Sequence, residues 1–479
     1  MRVKASDAQE LGRILEVYER ASGQVINKDK STIMFSPNTD QRVKDHMRTT
    51  LSILEVATSE RYLGLPVLVG KSRKNTFEYI KKKIWFRIQG WQEKLLLKAG
   101  KEILIKAVAQ SIPTYAMSCF DLTKGLCEEL NMIIGRYWWS QQDKTNKIHW
   151  LSWEKLTRSK KKGGLGFRDL HLFNMAMLSR QVWRLITFPD SLCGQVLKAR
   201  YFPNSDILHY SFRSGISYTW RSILKGVHLL KEGIIWRIDN GESVRIWEDP
   251  WLPKELTRNP ATPKGTNLLI NVSELINPVT GVWDEQLIRE TFWPEDANEI
   301  LRIPIAKNLE DWPAWYFDAK CLFSVKSTYK VAVARRDTLA SWDASTSGTV
   351  RDDSDFDCYG IWKLNVPNKV KMFMWRFAHN SLPVRRNLAR RGVVIDTRCP
   401  VCTRLDEDSG HLFFKCKYAK LCWRLMNMEH IRIQLLICVS AWETCNIIWK
   451  LEKDTQLKVI IFLWRWWSAR NKANDGEGC

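Results

Sequence analysis

The chain has 479 residues, with 74 Lys and Arg against 52 Asp and Glu, for a formal net charge of +22. At roughly 100–200 residues per domain this length implies two to four domains, and 45% hydrophobic with 26% charged residues excludes global disorder. Apolar runs such as Val459–Trp464 fall far short of the roughly 20 residues that a membrane span needs. The start, Met-Arg-Val-Lys-Ala-Ser-Asp, has no apolar signal core, so the expectation is an intracellular protein, nuclear or cytoplasmic, with a polyanionic partner and no membrane. Twelve cysteines without a secretion signal point to a metal site and buried free thiols rather than a disulfide framework. Cys119, Cys127, Cys193, Cys321, Cys358, Cys438 and Cys445 stand singly and are expected to be buried. The 24 Trp are expected chiefly in cores and seams, some of them as exposed stacking surfaces.

In chain order, Ser6 caps a first helix over Asp7–Ser22, with Gln9 in capping-box position, Gly23 as its stop, and Leu11, Ile14, Leu15 and Tyr18 as a buried stripe. Lys30–Phe35 reads as a short strand. Tyr62-Leu-Gly-Leu-Pro66 is a turn or short extended piece. Phe77, Ile80, Ile84 and Ile88 then mark a helix, and Ile103, Leu104, Ala107 and Val108 a further one stopped by Pro113. Between Lys71 and Lys106 lie eleven Lys/Arg against three Glu, the densest basic helical stretch of the chain. It is either a solvated face or a phosphate-contacting one, since clustered cations neutralise backbone phosphates and release counterions.

Helical pattern continues over Leu126–Trp139 and Met175–Ile186. Between them lies a basic hinge with Lys160, Lys161 and Lys162, followed by Gly163-Gly-Leu-Gly166. The spacing is not that of a nucleotide-binding phosphate loop. Trp236–Trp247 alternates around Asn240-Gly241 and predicts a hairpin. Residues 256–310 are weakly patterned, with a helix near Trp283–Thr291. The polar stretch from Arg336 to Asp357 reads as a linker. It holds Asp352-Asp353, the one adjacent aspartate pair; paired carboxylates at a strand turn could hold two divalent ions, but this unpatterned setting favours the linker.

The most specific signal follows. Cys399, Cys402, His411 and Cys416 stand in the pattern C-x2-C-x8-H-x4-C within 18 residues. Cys3His is a standard set for tetrahedral structural zinc, and Pro400 suits a tight knuckle. Cys422 is an alternative ligand but falls on a helical run. Basic segments flank the site, among them Arg385, Arg386, Arg390 and Arg391, and tilt the reading towards nucleic acid.

Several phrases together resemble a known family. Tyr18-Glu-Arg-Ala-Ser-Gly-Gln-Val-Ile-Asn-Lys-Asp-Lys-Ser31, Tyr62-Leu-Gly-Leu-Pro66, Gly90-Trp91, Ala99–Tyr115, Gly163–Leu170 and Trp247-Glu-Asp-Pro-Trp251 are similar to the C-terminal half of plant LINE-type (non-LTR) retrotransposon reverse transcriptases. Trp362–Phe377 and the Cys399–Cys416 knuckle resemble that family's zinc-binding domain. The likeness covers roughly residues 1–255 and 310–430. It implies a thumb-like role for residues 60–112 in gripping template and primer. In that family a Phe/Tyr-Ala-Asp-Asp hairpin precedes the helix that Asp7–Ser22 resembles, and this RNA-directed DNA polymerase motif has no counterpart in the 479 residues.

The expected fold is mainly α with short β elements (α+β). Its segments are a palm-end remnant (1–59), thumb-like basic helices (60–112), a helical connection (113–255), a poorly patterned region (256–335), a linker (336–357), a zinc-binding reverse-transcriptase domain (358–430) and a helical tail (431–479). The expected function is binding of RNA or DNA, without polymerisation by the chain alone, through Lys71, Arg73, Lys74, Lys81, Lys82, Lys83, Arg87, Lys160, Lys161 and Lys162, with structural zinc on the four ligands. The alternatives are a zinc-dependent protein-interaction module, with a full-length reverse transcriptase as partner, and a translated transposable-element remnant without selected function.

Overall fold

The computed structural model describes residues 5–35, 38–53, 55–56, 61–67, 69–70, 72–92, 96–140, 148–210, 215–255, 257–305, 309–346 and 358–475. Among them the protein is mainly helical, with three two-stranded pairings. It divides into two compact units, Met1–Glu78 and Tyr79–Cys479. No helix among the described residues is long and apolar enough to cross a membrane.

In the first unit the helix Ala5–Ser22 packs on Gln41–Leu51. Ala8 is buried, but Leu11, Ile14 and Tyr18 of the expected core stripe are 40%, 51% and 54% exposed. Among its described residues the unit adds short β elements to the second helix, Thr32–Ile33 pairing parallel with Glu55–Val56, and Arg61–Tyr62 antiparallel with Leu65–Pro66. The described residues of these elements leave the stripe largely uncovered. Leu63 and Gly64, at φ 50° and 81°, form the left-handed pair that a two-residue hairpin turn requires. The basic helix Arg73–Gln92 spans the boundary between the units and buries Phe77, Ile80, Ile84 and Ile88, the stripe that its spacing predicts.

The second unit is organised around the central helix Leu170–Thr187, against which Tyr218–Lys231 and Val325–Thr346 pack. Gly226 makes the first contact possible: an added Cβ would lie 2.5 Å from the Ser179 amide nitrogen, and Ser179 Oγ donates to the Gly226 carbonyl at 2.9 Å. Beside this crossing Trp220 is buried, with Tyr201 and Phe202 stacked at centroid distances of 4.7 and 5.5 Å.

The hairpin expected around Asn240-Gly241 does not form. Ile234–Arg237 pairs instead with Trp312–Trp315, antiparallel and some 75 residues on. The carboxylate of Asp311 accepts from the amides of Asp239 and Gly241 at 2.9 Å each and of Ser243 at 3.1 Å, so the turn's donors are satisfied from the distant segment rather than by a second strand. The weakly patterned region is a folded one: Val272, Leu275, Ile288, Phe292 and Ile300 share a core with Ile238, Val244, Ile246 and Trp251.

Helix Val325–Thr346 extends through the first half of the stretch that reads as a linker. Its remainder, with Asp352-Asp353, lies outside the described residues. Of the seven singly placed cysteines Cys127, Cys358 and Cys445 are buried, Cys119, Cys321 and Cys438 are half-buried, and Cys193 is exposed on the Leu192–Tyr201 helix, against the expectation of burial.

The glycine run is a fixed clasp rather than a hinge. Leu165 and Phe167 amides donate to the Leu156 carbonyl, and Gly166 to that of Arg158. A Cβ on Gly164 would overlap the Arg158 carbonyl oxygen at 1.9 Å. Gly163, at φ +80°, turns its carbonyl outward to accept from Trp375 Nε1 at 2.9 Å and His379 Nε2 at 2.7 Å. This ties the loop to helix Asn368–Ala378, which also packs against Ala441–Lys450 and Lys453–Asn474 and carries the metal centre's surroundings.

Candidate metal centre

The knuckle begins with a turn. The Cys399 amide donates to the Leu405 carbonyl at 2.8 Å, the Thr403 amide donates back to Cys399 at 2.8 Å, and Thr403 takes the left-handed φ of 56° that closes so tight a loop. Arg398 and Asp406 bridge across its neck, and the Glu407 amide donates to Thr397 at 2.7 Å. Asp408 then accepts from the His411 amide at 2.7 Å and starts the single π turn His411–Lys415. That turn delivers Cys416 to the N-terminus of helix Lys417–Leu425.

The result is one group of four. The candidate ligand atoms of Cys399, Cys402, His411 and Cys416 all lie within 4.8 Å of one another, and all four residues are buried. Zinc bonds of about 2.3 Å to sulfur imply S···S edges of about 3.8 Å in a tetrahedron. Three thiols and an imidazole already gathered to this spacing fit a zinc ion with small side-chain movements. Cys402 Sγ stands 3.2 Å from His411 Nε2. The Cys416 thiol is held below its usual range, first by a hydrogen bond from Cys399 and then by the Tyr418 and Ala419 amides at the helix start, against the upward push of burial. Cys422 lies on the helix beyond and does not join the group. Zinc here is structural: with Cys3His the shell is closed.

The support for this centre comes from afar in the sequence. Trp466 of the tail helix Lys453–Asn474 packs on the three cysteines and donates Nε1 to the Leu412 carbonyl at 2.8 Å. Arg470 clamps Glu407 through two bonds of 2.5 Å, with side chains 5% and 0% exposed. Arg385 and Arg386 serve the knuckle as well, Arg385 donating to the Arg398 carbonyl at 2.9 Å and Arg386 pairing with Asp408 at 3.1 Å, while Arg391 donates to the Trp150 carbonyl. These arginines, which read as a nucleic-acid-facing flank, are bound into the fold. The roles of Glu407, Trp466 and Arg470 carry no sequence signal, because tens of residues separate each from its partner.

The ten basic residues singled out for nucleic acid fall in two places. Arg73, Lys74, Lys82, Lys83 and Arg87 are exposed on the basic helix. Lys81 on the same helix is paired with Glu129 at 2.6 Å, and Lys83 lies 5.7 Å from the Tyr79 ring centroid. Lys71 lies outside the described residues. Lys160, Lys161 and Lys162 form one short turn of the clasp. Lys160 is engaged with Glu102 at 3.0 Å and lies over Trp362 at 4.2 Å, whereas Lys161 and Lys162 are exposed. Burial alone would raise the Glu102 carboxyl, but Lys106 and Lys160 hold it below its usual range.

Comparison with known proteins agrees with this geometry. Residues 323–423 match the family described as zinc-binding in reverse transcriptase. An uncharacterized mitochondrial protein of Arabidopsis thaliana is 43% identical over 146 residues, which are 30% of this chain and 95% of that relative. A provisionally named ribonuclease H protein of the same plant is 28% identical over 364 residues, 74% of this chain, and the match spans 56% of the relative's length.

Proposed function

The chain belongs to the same family as the Arabidopsis mitochondrial protein and is a retrotransposon-derived protein with a reverse-transcriptase zinc-binding domain, and from that premise we propose that it acts as the nucleic-acid-gripping part of a LINE-type reverse transcriptase. The observation that carries this reading is the outward face of the basic helix. Its apolar stripe is spent on the core, and Lys82, Lys83 and Arg87 face solvent without a carboxylate partner among the described residues. Between them Trp85 and Phe86 are 47% and 67% exposed, in edge contact at 5.3 Å. Cations beside open aromatic rings suit a single strand, whose phosphates meet the charges and whose bases stack on the rings. The zinc centre holds the C-terminal part of the chain rigid and takes no part in chemistry.

The test is binding of single-stranded RNA and DNA oligonucleotides by fluorescence anisotropy across salt concentrations. The triple variant Lys82→Glu, Lys83→Glu, Arg87→Glu should weaken binding and flatten the salt slope by about 0.7 per lost phosphate contact. Trp85→Ala should weaken binding at an unchanged slope. An affinity indifferent to salt and to all four changes would overturn the reading. With primer, template and Mg2+ the chain alone should incorporate no nucleotide.

A second reading, docking of a full-length reverse transcriptase on the zinc module, is favoured by the loop before the knuckle, where Val393, Val394 and Ile395 are exposed. Capture of that partner in the presence of nuclease, lost on Val394→Asp, would support it.

A further inference from the structure

A cleft of about 970 Å³ opens between helix Val325–Thr346 and the segment from Pro250 to Asn259. It belongs to the region with the weakest sequence pattern. Five cations line it, Lys231, Arg258, Lys326, Lys330 and Arg335, against three carboxylates, Glu232, Glu255 and Asp318. Glu232 is already taken by Arg335. Lys231, Lys326 and Lys330 are exposed and have no carboxylate partner among the described residues.

Arg258 is the unusual member. It is 5% exposed, yet its Nε and Nη2 have no hydrogen-bond partner. Its guanidinium lies under two rings, 4.4 Å from the Tyr316 centroid and 5.1 Å from that of Phe317. Burial lowers its pKa, and Tyr316 and Glu232 counter this only in part. A buried guanidinium is normally paired, because the unpaired charge is costly to desolvate. Opposite it stands one face of the helix: Lys326, Ser327, Lys330, Ala334 and Thr338 follow each other at helical spacing, and the N-terminal turn presents the positive end of a 22-residue helix.

We propose that this cleft is a phosphate-binding site, with Arg258, Lys326 and Lys330 as its recognition groups, distinct from the basic helix and independent of it. A guanidinium that is seated by aromatic rings supplies the directional donors and the two lysines supply charge, whereas the Ser327 hydroxyl already donates to the Ser324 carbonyl at 2.9 Å. The volume exceeds one phosphate and admits a short stretch of phosphodiester backbone. The ligand's source is either a nucleic-acid strand or a free phosphate compound, and competition tells them apart.

The experiment is isothermal titration of the zinc-loaded full chain with inorganic phosphate in phosphate-free buffer, repeated with a ten-nucleotide oligothymidylate as competitor. Wild type should bind phosphate at one saturable site. Lys326→Gln with Lys330→Gln, both at exposed positions, should weaken it at least tenfold with an unchanged thermal melt, and Arg258→Gln should abolish it. The triple charge reversal on the basic helix should leave phosphate binding intact, so failure of that surface and failure of this cleft are separately visible. Displacement of phosphate by the oligonucleotide supports the site and assigns it to a strand, and lack of displacement supports the site and assigns it to a free phosphate compound. No saturable phosphate binding, or binding that the Lys326 and Lys330 changes leave untouched, overturns the proposal.

Discussion

Replacing Arg470 by Met tests the link between the tail helix and the zinc knuckle. Met keeps most of the side chain's volume and removes the guanidinium. Glu407, whose side chain is fully buried, would then hold its carboxylate with the Arg385 amide at 2.7 Å as its remaining hydrogen bond. Breaking one side of a buried ion pair typically costs about 3–5 kcal/mol, because the survivor is a desolvated charge. The loss falls on the neck of the knuckle, where the Glu407 amide closes onto Thr397 and its carbonyl receives the Arg386 amide at 3.1 Å. The pair belongs to the large unit Tyr79–Cys479, in which each kcal/mol moves the melting temperature by less than the about 2–4 °C of a 150–250-residue domain, so Arg470→Met should melt roughly 3–10 °C lower than wild type.

The assay is thermal denaturation by circular dichroism, with zinc release followed in parallel by a chromogenic chelator. Zinc should leave earlier in the variant and together with the loss of helix. Glu407→Gln alone should be destabilising too, since it leaves Arg470 buried without its counter-charge. The double change should cost less than the sum of the two, with a coupling of about 0.5–3 kcal/mol. A melt of Arg470→Met within about 2 °C of wild type, or additive single changes, would refute the view that this pair fastens the tail to the metal centre.

Two further outcomes are expected. The purified chain should carry about one zinc per molecule by elemental analysis, and Cys399→Ala or His411→Ala should lose it and open the knuckle to protease; a metal-free chain with this segment still protected would contradict the assignment. Asp296 is buried and accepts from the Thr262 amide at 2.7 Å and hydroxyl at 2.6 Å and from Lys254. Burial raises its carboxyl, but Lys254 and Thr262 outweigh that and hold it below the usual 3.8. A lowered native pKa gives stability that is full above the unfolded value and lost as pH falls through the folded one. The wild-type melting temperature should therefore drop below about pH 4 more steeply than that of Asp296→Asn, and equal acid limbs would argue against the pair's role.

How much of this was legible from sequence depended on the range of the interaction. The knuckle was readable because its four ligands lie within 18 residues and their identity is the chemistry. The basic helix was readable because Phe77, Ile80, Ile84 and Ile88 bury one face at spacings of three and four. Where satisfaction came from a distance, local pattern misled. Asn240-Gly241 carries a hairpin signature, but Asp311 serves its amides and Trp312–Trp315 takes the neighbouring strand. The stretch 256–335 reads as poorly patterned because its helices Glu285–Thr291 and Pro294–Leu301 are short, its core partners Ile238, Val244 and Ile246 lie upstream, and contacts such as Thr262 with Asp296 and Trp283 Nε1 with the Ile303 carbonyl leave no period. The first helix shows the converse, since its amphipathic period is real but Leu11, Ile14 and Tyr18 are not covered by the described residues.

The same division of range decides what the net charge means. A lysine counts towards an external field only if the fold has not already used it. Lys101, 8% exposed, donates to the Tyr137 and Ser140 carbonyls and Lys98 to that of Trp138, so both serve the C-terminal end of helix Lys124–Trp139, where cations meet the unpaired carbonyls and the negative end of the helix dipole. Lys106 and Lys160 share Glu102, and Lys81 holds Glu129. Arg385, Arg386 and Arg470 are spent on the knuckle. Each of these would destabilise the fold if reversed, whatever the protein binds. Lys82, Lys83 and Arg87 differ in that, among the described residues, their removal leaves no carboxylate or helix end unsatisfied. Loss of nucleic-acid binding in those three at an unchanged melting temperature is therefore informative, whereas the same loss in Lys101→Glu would report only on folding.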